Sequence, residues 1–319
     1  MLKSANRISA SSSGIRDQKC EVTARNMSTP LQIWFSAFRL RTLLLAIASI
    51  ALGSFLAAAQ GGFHWRVALL SLLTAVLLQI LSNLANDYGD TEHGADSDER
   101  IGPVRVSQQG QVSTRVMRRV ILLFVLLCLA AGYLLVRGES WFFYGLGLAA
   151  IVAAIAYTAG PKPYGYAGMG DLFVFLFFGL TGVGGTYFLH THRMSPAILL
   201  PAAACGFFCV AVLNINNMRD LTSDRAAGKI TIPVRLGVAR ARIYHWLLLT
   251  AGLISAVAYI SLNYSSPWQF LFLLVAPFLV WNGISISTQT SAANLDPYLR
   301  QMAVATLLFS LVFGAGILM

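Results

Sequence analysis

Apolar runs near the length of a bilayer crossing recur along almost the whole chain, and no other feature constrains its fold as strongly. A transmembrane helix needs about 20 mostly apolar residues. By that measure, spans fall at 39–60, 66–86, 117–136, 141–158, 171–189, 196–217, 243–262, 268–287 and 301–318. In a lipid core the backbone must satisfy its own hydrogen bonds, so runs of this length are helices. The expected fold class is an all-α integral membrane protein of about nine transmembrane helices. Composition agrees, with 56% hydrophobic and 11% charged residues, against about 25% charged in a soluble domain.

The net charge of +10 is distributed as a membrane protein's, not as a nucleic-acid binder's. Arg39, Arg41, Arg100, Arg105, Lys162, Arg219, Arg225, Lys229 and Arg240 fall on one side of this topology, whereas Arg66, Arg137 and Arg193 fall on the other. Lys and Arg concentrate in cytoplasmic loops, so the expected N-terminus is cytoplasmic and the C-terminus outside. Residues 1–30 are polar and lack the apolar stretch of a secretory signal. They read as a disordered tail, with residues 1–26 an upstream extension before Met27, and residues 31–319 as a single membrane domain.

Against this apolar background, acid is scarce and clustered. The chain has 13 Asp and Glu in 319 residues. Asn83, Asn86, Asp87, Asp90 and Asp96 close one apolar run, and Asn214, Asn217, Asp220 and Asp224 close another. Residues three and four apart share a helical face, which groups Asn83 with Asp87 and Asp90, and Asn217 with Asp220 and Asp224. An ordinary acidic loop explains Asp98 and Glu99 but not carboxylates that continue the face of a membrane span, where ionisable groups are costly and usually functional. Packed carboxylates need a cation. An all-oxygen set suits Mg²⁺, which completes its shell with water and substrate phosphates. Two such clusters on the cytoplasmic side point to a lipid diphosphate.

Arg100, Arg105, Lys162, Arg225 and Lys229 are candidate diphosphate ligands. They also serve as topology markers or headgroup contacts, and Arg100, Arg105 and Lys229 stand out because they share loops with the acids. The Gly- and Pro-rich connector from Tyr157 to Asp171 carries Tyr157, Tyr164 and Tyr166. These are interfacial tyrosines or aromatic faces for a carbocation; Asp171 is a helix cap or a contact to an aromatic substrate. Cys205 and Cys209 read as small core residues, His190 and His192 as solvated, and His64 and His245 as interfacial. The two acidic helix ends, each followed by a polar loop, imply two similar four-helix units plus a final helix, with the site where they meet.

The strings LLQILSNLANDYGDTEHGAD, RIGPVRVSQQGQVS, YTAGPKPYGYAGMGD and VLNINNMRDLTSDRAAGK carry a resemblance to the UbiA-type intramembrane prenyltransferases over residues 30–319, and within them to the menaquinone-pathway branch. Asn86, Asp87 and Asp90 match the first motif, NDxxDxxxD; position 94 is Gly and the next carboxylate is Asp96. The YxxxK element runs from Tyr157 to Lys162, one residue longer. The resemblance implies a nine-helix bundle with a central cavity in a bacterial inner membrane. It implies Mg²⁺ on Asp87, Asp90, Asp96, Asp220 and Asp224, and catalysis with Tyr157 and Lys162. Asn83, Asn86, Arg100, Arg105, Asn217, Lys229 and Asp171 are the candidate substrate-binding residues. The partners implied are a polyprenyl diphosphate and 1,4-dihydroxy-2-naphthoate, joined with loss of CO₂. A UbiA-type enzyme for 4-hydroxybenzoate or another aromatic acceptor is the nearest alternative. A cation-coupled transporter is a reading from another class, but its acids belong at the midplane.

Overall fold

The computed structural model describes residues 30–93 and 112–319, and the described residues are helical without strands. The helices are α1 Pro30–Phe38, α2 Leu40–Ala59, α3 Trp65–Glu92, α4 Thr114–Val136, α5 Trp141–Ala156, α6 Gly170–Thr191, α7 Leu199–Arg219, α8 Leu221–Ala226, α9 Ile232–Leu236, α10 Val238–Leu262, α11 Pro267–Thr288 and α12 Asp296–Leu318. Each expected span coincides with an apolar helix. Among the described residues eight are long and apolar enough to cross a membrane. The other, α5, has 16 residues, a rise of roughly 24 Å. The chain is a multi-pass membrane protein.

Burial ranks the helices. The stretch Pro196–Arg219, which contains α7, has 72% of its apolar window inside the bundle, whereas α4 has 17%. The α7 helix is thus the central post, packed against α2, α6, α10 and α12. Phe208 of α7 meets Phe309 of α12 edge-on at 4.9 Å, and Phe272 and Phe313 complete the aromatic core. Within lipid, such packing rather than water exclusion holds helices together. The middle of α6, Phe175–Gly185, is a π-helix, a widened form found mostly as short bulges at functional sites.

Two histidines depart from the sequence reading. His190 is 1% exposed; its Nδ1 accepts the His64 backbone N–H at 3.0 Å, and Nε2 lies 3.2 Å from Ser54 Oγ. His245 is fully buried and lies 3.0 Å from Asn282 Oδ1. Both sit inside helices that run longer than the apolar pattern alone delimits. The same lengthening matters for the first acidic cluster. The helix α3 continues to Glu92, so Asp87 and Asp90 occupy its last turns, on the helical face that their spacing predicts.

Candidate active site

Asp87, Asp90, Asp220, Asp224 and Lys229 are each at most 6% exposed. Charged groups at that depth need partners, and near a helix C-terminus carboxylates also oppose the dipole. Lys229 meets both demands at once. Its Nζ lies 3.7 Å from Asp90 Oδ2 and 3.6 Å from Asp224 Oδ1, joining the two acidic motifs. Its backbone N–H donates to Asp224 O at 2.8 Å, which fixes the loop after α8. The ammonium stands 5.9 Å from the ring centre of Tyr157 and 5.6 Å from that of Tyr166, within reach of cation–π attraction. The Tyr166 hydroxyl donates to Asp90 Oδ1 at 2.9 Å.

The other two carboxylates have arginine partners. Asp87 pairs with Arg39. Asp220 takes a forked pair from Arg219, with Nε at 2.9 Å and Nη2 at 2.8 Å. Arg39 adopts a left-handed backbone, φ 48° and ψ 61°, between α1 and α2. For a residue with a Cβ this costs on the order of 1–2 kcal/mol, and such strain gathers at functional sites. It turns the chain so that Arg39 and Arg41 both reach the site. The sequence showed these two only as topology markers.

Asn83 is committed to the scaffold: its Nδ2 donates to Phe38 O at 2.9 Å and Thr42 Oγ1 at 3.0 Å. Asn86 Oδ1 accepts from Thr158 Oγ1 at 2.9 Å. Asp171 accepts from the Tyr244 hydroxyl at 2.8 Å. Lys162 is exposed on the connector and has no ion pair among the described residues. Asp96, Arg100 and Arg105 lie outside the described residues, as do the tail and the RIGPVRVSQQG segment.

The connector is clamped to both motifs. Ile230 N–H donates to Tyr166 O at 2.9 Å, and Arg235 Nη2 to Ala167 O at 2.6 Å. Gly168 has φ +75°, open to glycine at little cost. Gly89 lets α3 touch the connector: a Cβ there would lie 2.5 Å from Thr158 O. Gly89→Ala should therefore push α3 off the connector at a cost of about 1–3 kcal/mol, read as a lower melting temperature of the detergent-solubilised protein. Burial, and after it the charges of Asp224, Asp90 and Asp171, push the Tyr157 phenol well above its ordinary range. Burial does the same to Tyr164. Both rings stay neutral and offer aromatic faces.

Behind the charged groups runs a cavity of about 640 Å³. Asn86, Asp90, Tyr157, Asp220 and Lys229 line one end, together with Arg39 and Arg41. Leu135, Val136, Phe143, Leu146, Phe177 and Leu189 line the rest. One end suits an anion and the remainder an apolar chain. The anionic donors are all oxygen, which fits magnesium, and Asn217 Oδ1 is buried without a hydrogen-bond partner among the described residues. Among those residues no three His, Cys, Asp or Glu form a ready-made metal group.

Known proteins resemble the chain in sequence and in fold. The UbiA prenyltransferase family profile covers residues 46–307. The chain is 44% identical over 296 residues to the 1,4-dihydroxy-2-naphthoate octaprenyltransferase of Haemophilus influenzae, covering 90% of this chain and 96% of that one. It is 44% identical over 292 residues to the Escherichia coli protein of the same name, covering 90% and 95%. The fold superposes on a UbiA homologue from Archaeoglobus fulgidus, described as bound to DMAPP and Mg²⁺, with TM-score 0.63 and 18% identity over 90% of this chain and 99% of that one. The chain belongs to the UbiA prenyltransferase family and is a membrane-embedded prenyltransferase.

Proposed function

We propose that the chain transfers a polyprenyl group from a polyprenyl diphosphate to 1,4-dihydroxy-2-naphthoate, with Mg²⁺, in a bacterial inner membrane. The products are CO₂, diphosphate and demethylmenaquinone in its reduced form. The observation that carries this reading is the meeting of Asp90 and Asp224, from separate motifs, on Lys229 at the polar end of a long apolar cavity. The names of the relatives at 44% identity support the acceptor.

Asp87, Asp90, Asp220 and Asp224 would hold the metal, together with Asp96, which lies outside the described residues. Bound magnesium supplies charge that neutralises the diphosphate as a leaving group. Lys229 and Arg39 share that charge from the protein side. The allylic C–O bond breaks, and its electron pair leaves with the diphosphate. The Tyr157 face borders the cation that remains. The ring carbon bearing the carboxylate bonds to the prenyl carbon, and the carboxylate leaves as CO₂, its bonding pair restoring aromaticity. Apolar walls keep water from the cation.

The test uses acceptor labelled in its carboxyl carbon. Labelled CO₂ should appear in step with prenylated product, and 1,4-dihydroxy-2-naphthoate should be preferred to 4-hydroxybenzoate by about 10²-fold or more, as befits a site whose polar groups match one acceptor. Product that keeps its carboxylate, or equal use of 4-hydroxybenzoate, would move the chain to another acceptor branch.

A further inference from the structure

Asp296 is the first residue of α12 and belongs to neither acidic motif. It receives Arg219 Nη1 on Oδ1 at 2.5 Å and Arg41 Nη1 on Oδ2 at 2.6 Å. The Arg219 side chain is only 2% exposed. Its Nε and Nη2 go to Asp220, as described, and Nη2 also to Asn216 Oδ1 at 2.9 Å. The guanidinium is therefore a rigid plate with Asp220 on one edge and Asp296 on another. Arg41, Asn216 and Asp220 all line the cavity, so one carboxylate outside the motifs reaches the site through two arginines.

We propose that Asp296 is a positioning residue for metal-diphosphate binding: it takes up part of the Arg219 charge and fixes the Arg219 fork, so that Asp220 stays available to a cation. Two physical effects point the same way. Arg219 competes with any metal for Asp220. With Asp296 removed, the full guanidinium charge falls on Asp220. The fork also loses the contact that sets its plane, and an arginine's value at such a site lies in that fixed geometry. The link runs from the last helix to the second motif, so α12 has a part in the chemistry as well as in the bundle.

The inference rests on the magnesium reading above. It is tested on the full-length protein in detergent, with Mn²⁺ and inorganic diphosphate as probes and loss of the free Mn²⁺ electron paramagnetic resonance signal as the readout. Asp296→Asn should weaken Mn²⁺ binding by about 10- to 100-fold, the usual effect of removing a group that orients a metal ligand. Asp296→Glu, which keeps the charge, should recover most of it. The Mg²⁺ concentration for half-maximal turnover should rise in parallel. A merely structural tie would lower the melting temperature and leave Mn²⁺ affinity at the wild-type value, and that result overturns the proposal. Should Asp296→Asn not fold, Arg219→Lys keeps the charge but loses the fork. Weakened Mn²⁺ binding in that variant supports the proposal, and wild-type binding overturns it. Wild-type protein that takes up no Mn²⁺ even with diphosphate overturns the magnesium reading itself and this inference with it, a pattern distinct from a silent Asp296→Asn.

Discussion

Asp90→Asn and Asp224→Asn should each abolish prenyl transfer at saturating Mg²⁺ while the protein still inserts and folds. Asparagine keeps the size of the side chain and, at Asp90, an oxygen for the Tyr166 hydroxyl. What it removes is the charge that faces Lys229 and, in the proposed reaction, the metal. In the proposed reaction the two motifs would supply metal ligands from α3 and α8, and neither would stand in for the other. Loss of one transition-state charge stabiliser typically costs about 10²–10³-fold in rate, and loss of a metal ligand should meet or exceed that. Asp87→Ala and Asp220→Ala should be as inactive, but they also remove the carboxylate that faces Arg39 and one of the two that face Arg219, so the Asn variants are the cleaner comparison. Near wild-type turnover by either Asn variant, measured as diphosphate release, would sink the two-motif metal site.

The scaffold of this site was legible in the sequence because its signals are local. Apolar length marks a bilayer crossing, and carboxylates at i, i+3 and i+4 mark a helical face, so α3, α7 and the two motifs could be placed from the string alone. Pairings across the chain could not. The contact of Arg41 with Asp296 spans 255 positions and that of Arg39 with Asp87 spans 48, and no periodicity links such residues. The positive φ of Arg39 has no signature in a residue that is neither Gly nor Asn. In the sequence His190 follows an apolar run and so reads as solvated. Its burial depends on the turn between α2 and α3 folding over the end of α6, a tertiary event. The acids were found by their rarity, whereas the arginines that hold them were hidden among many basic residues with a topological reason to be there.

Choosing between two lysines gives the sharpest remaining test. The motif spacing favours Lys162, which follows Tyr157 on the connector. The structure puts Lys162 on the exposed face and Lys229 between Asp90 and Asp224. Lys229→Met should lower kcat/KM for the prenyl diphosphate by about 10²–10³-fold, the scale of losing one buried charge to a developing anion. Lys162→Met should stay within about threefold of wild type, as expected of an exposed charge screened by water and salt. The metal response separates Lys229 from Asp296. Removing Lys229 takes a cation away from two carboxylates, so Mn²⁺ should bind as tightly as before or tighter while turnover falls. Removing the charge of Asp296 should weaken Mn²⁺ binding. Mn²⁺ affinity that holds or rises in Lys229→Met but falls in Asp296→Asn would show that Lys229 acts on the diphosphate and Asp296 on the metal ligands. A Lys162→Met variant more damaged than Lys229→Met would instead require the connector to turn its exposed face inward when substrate binds.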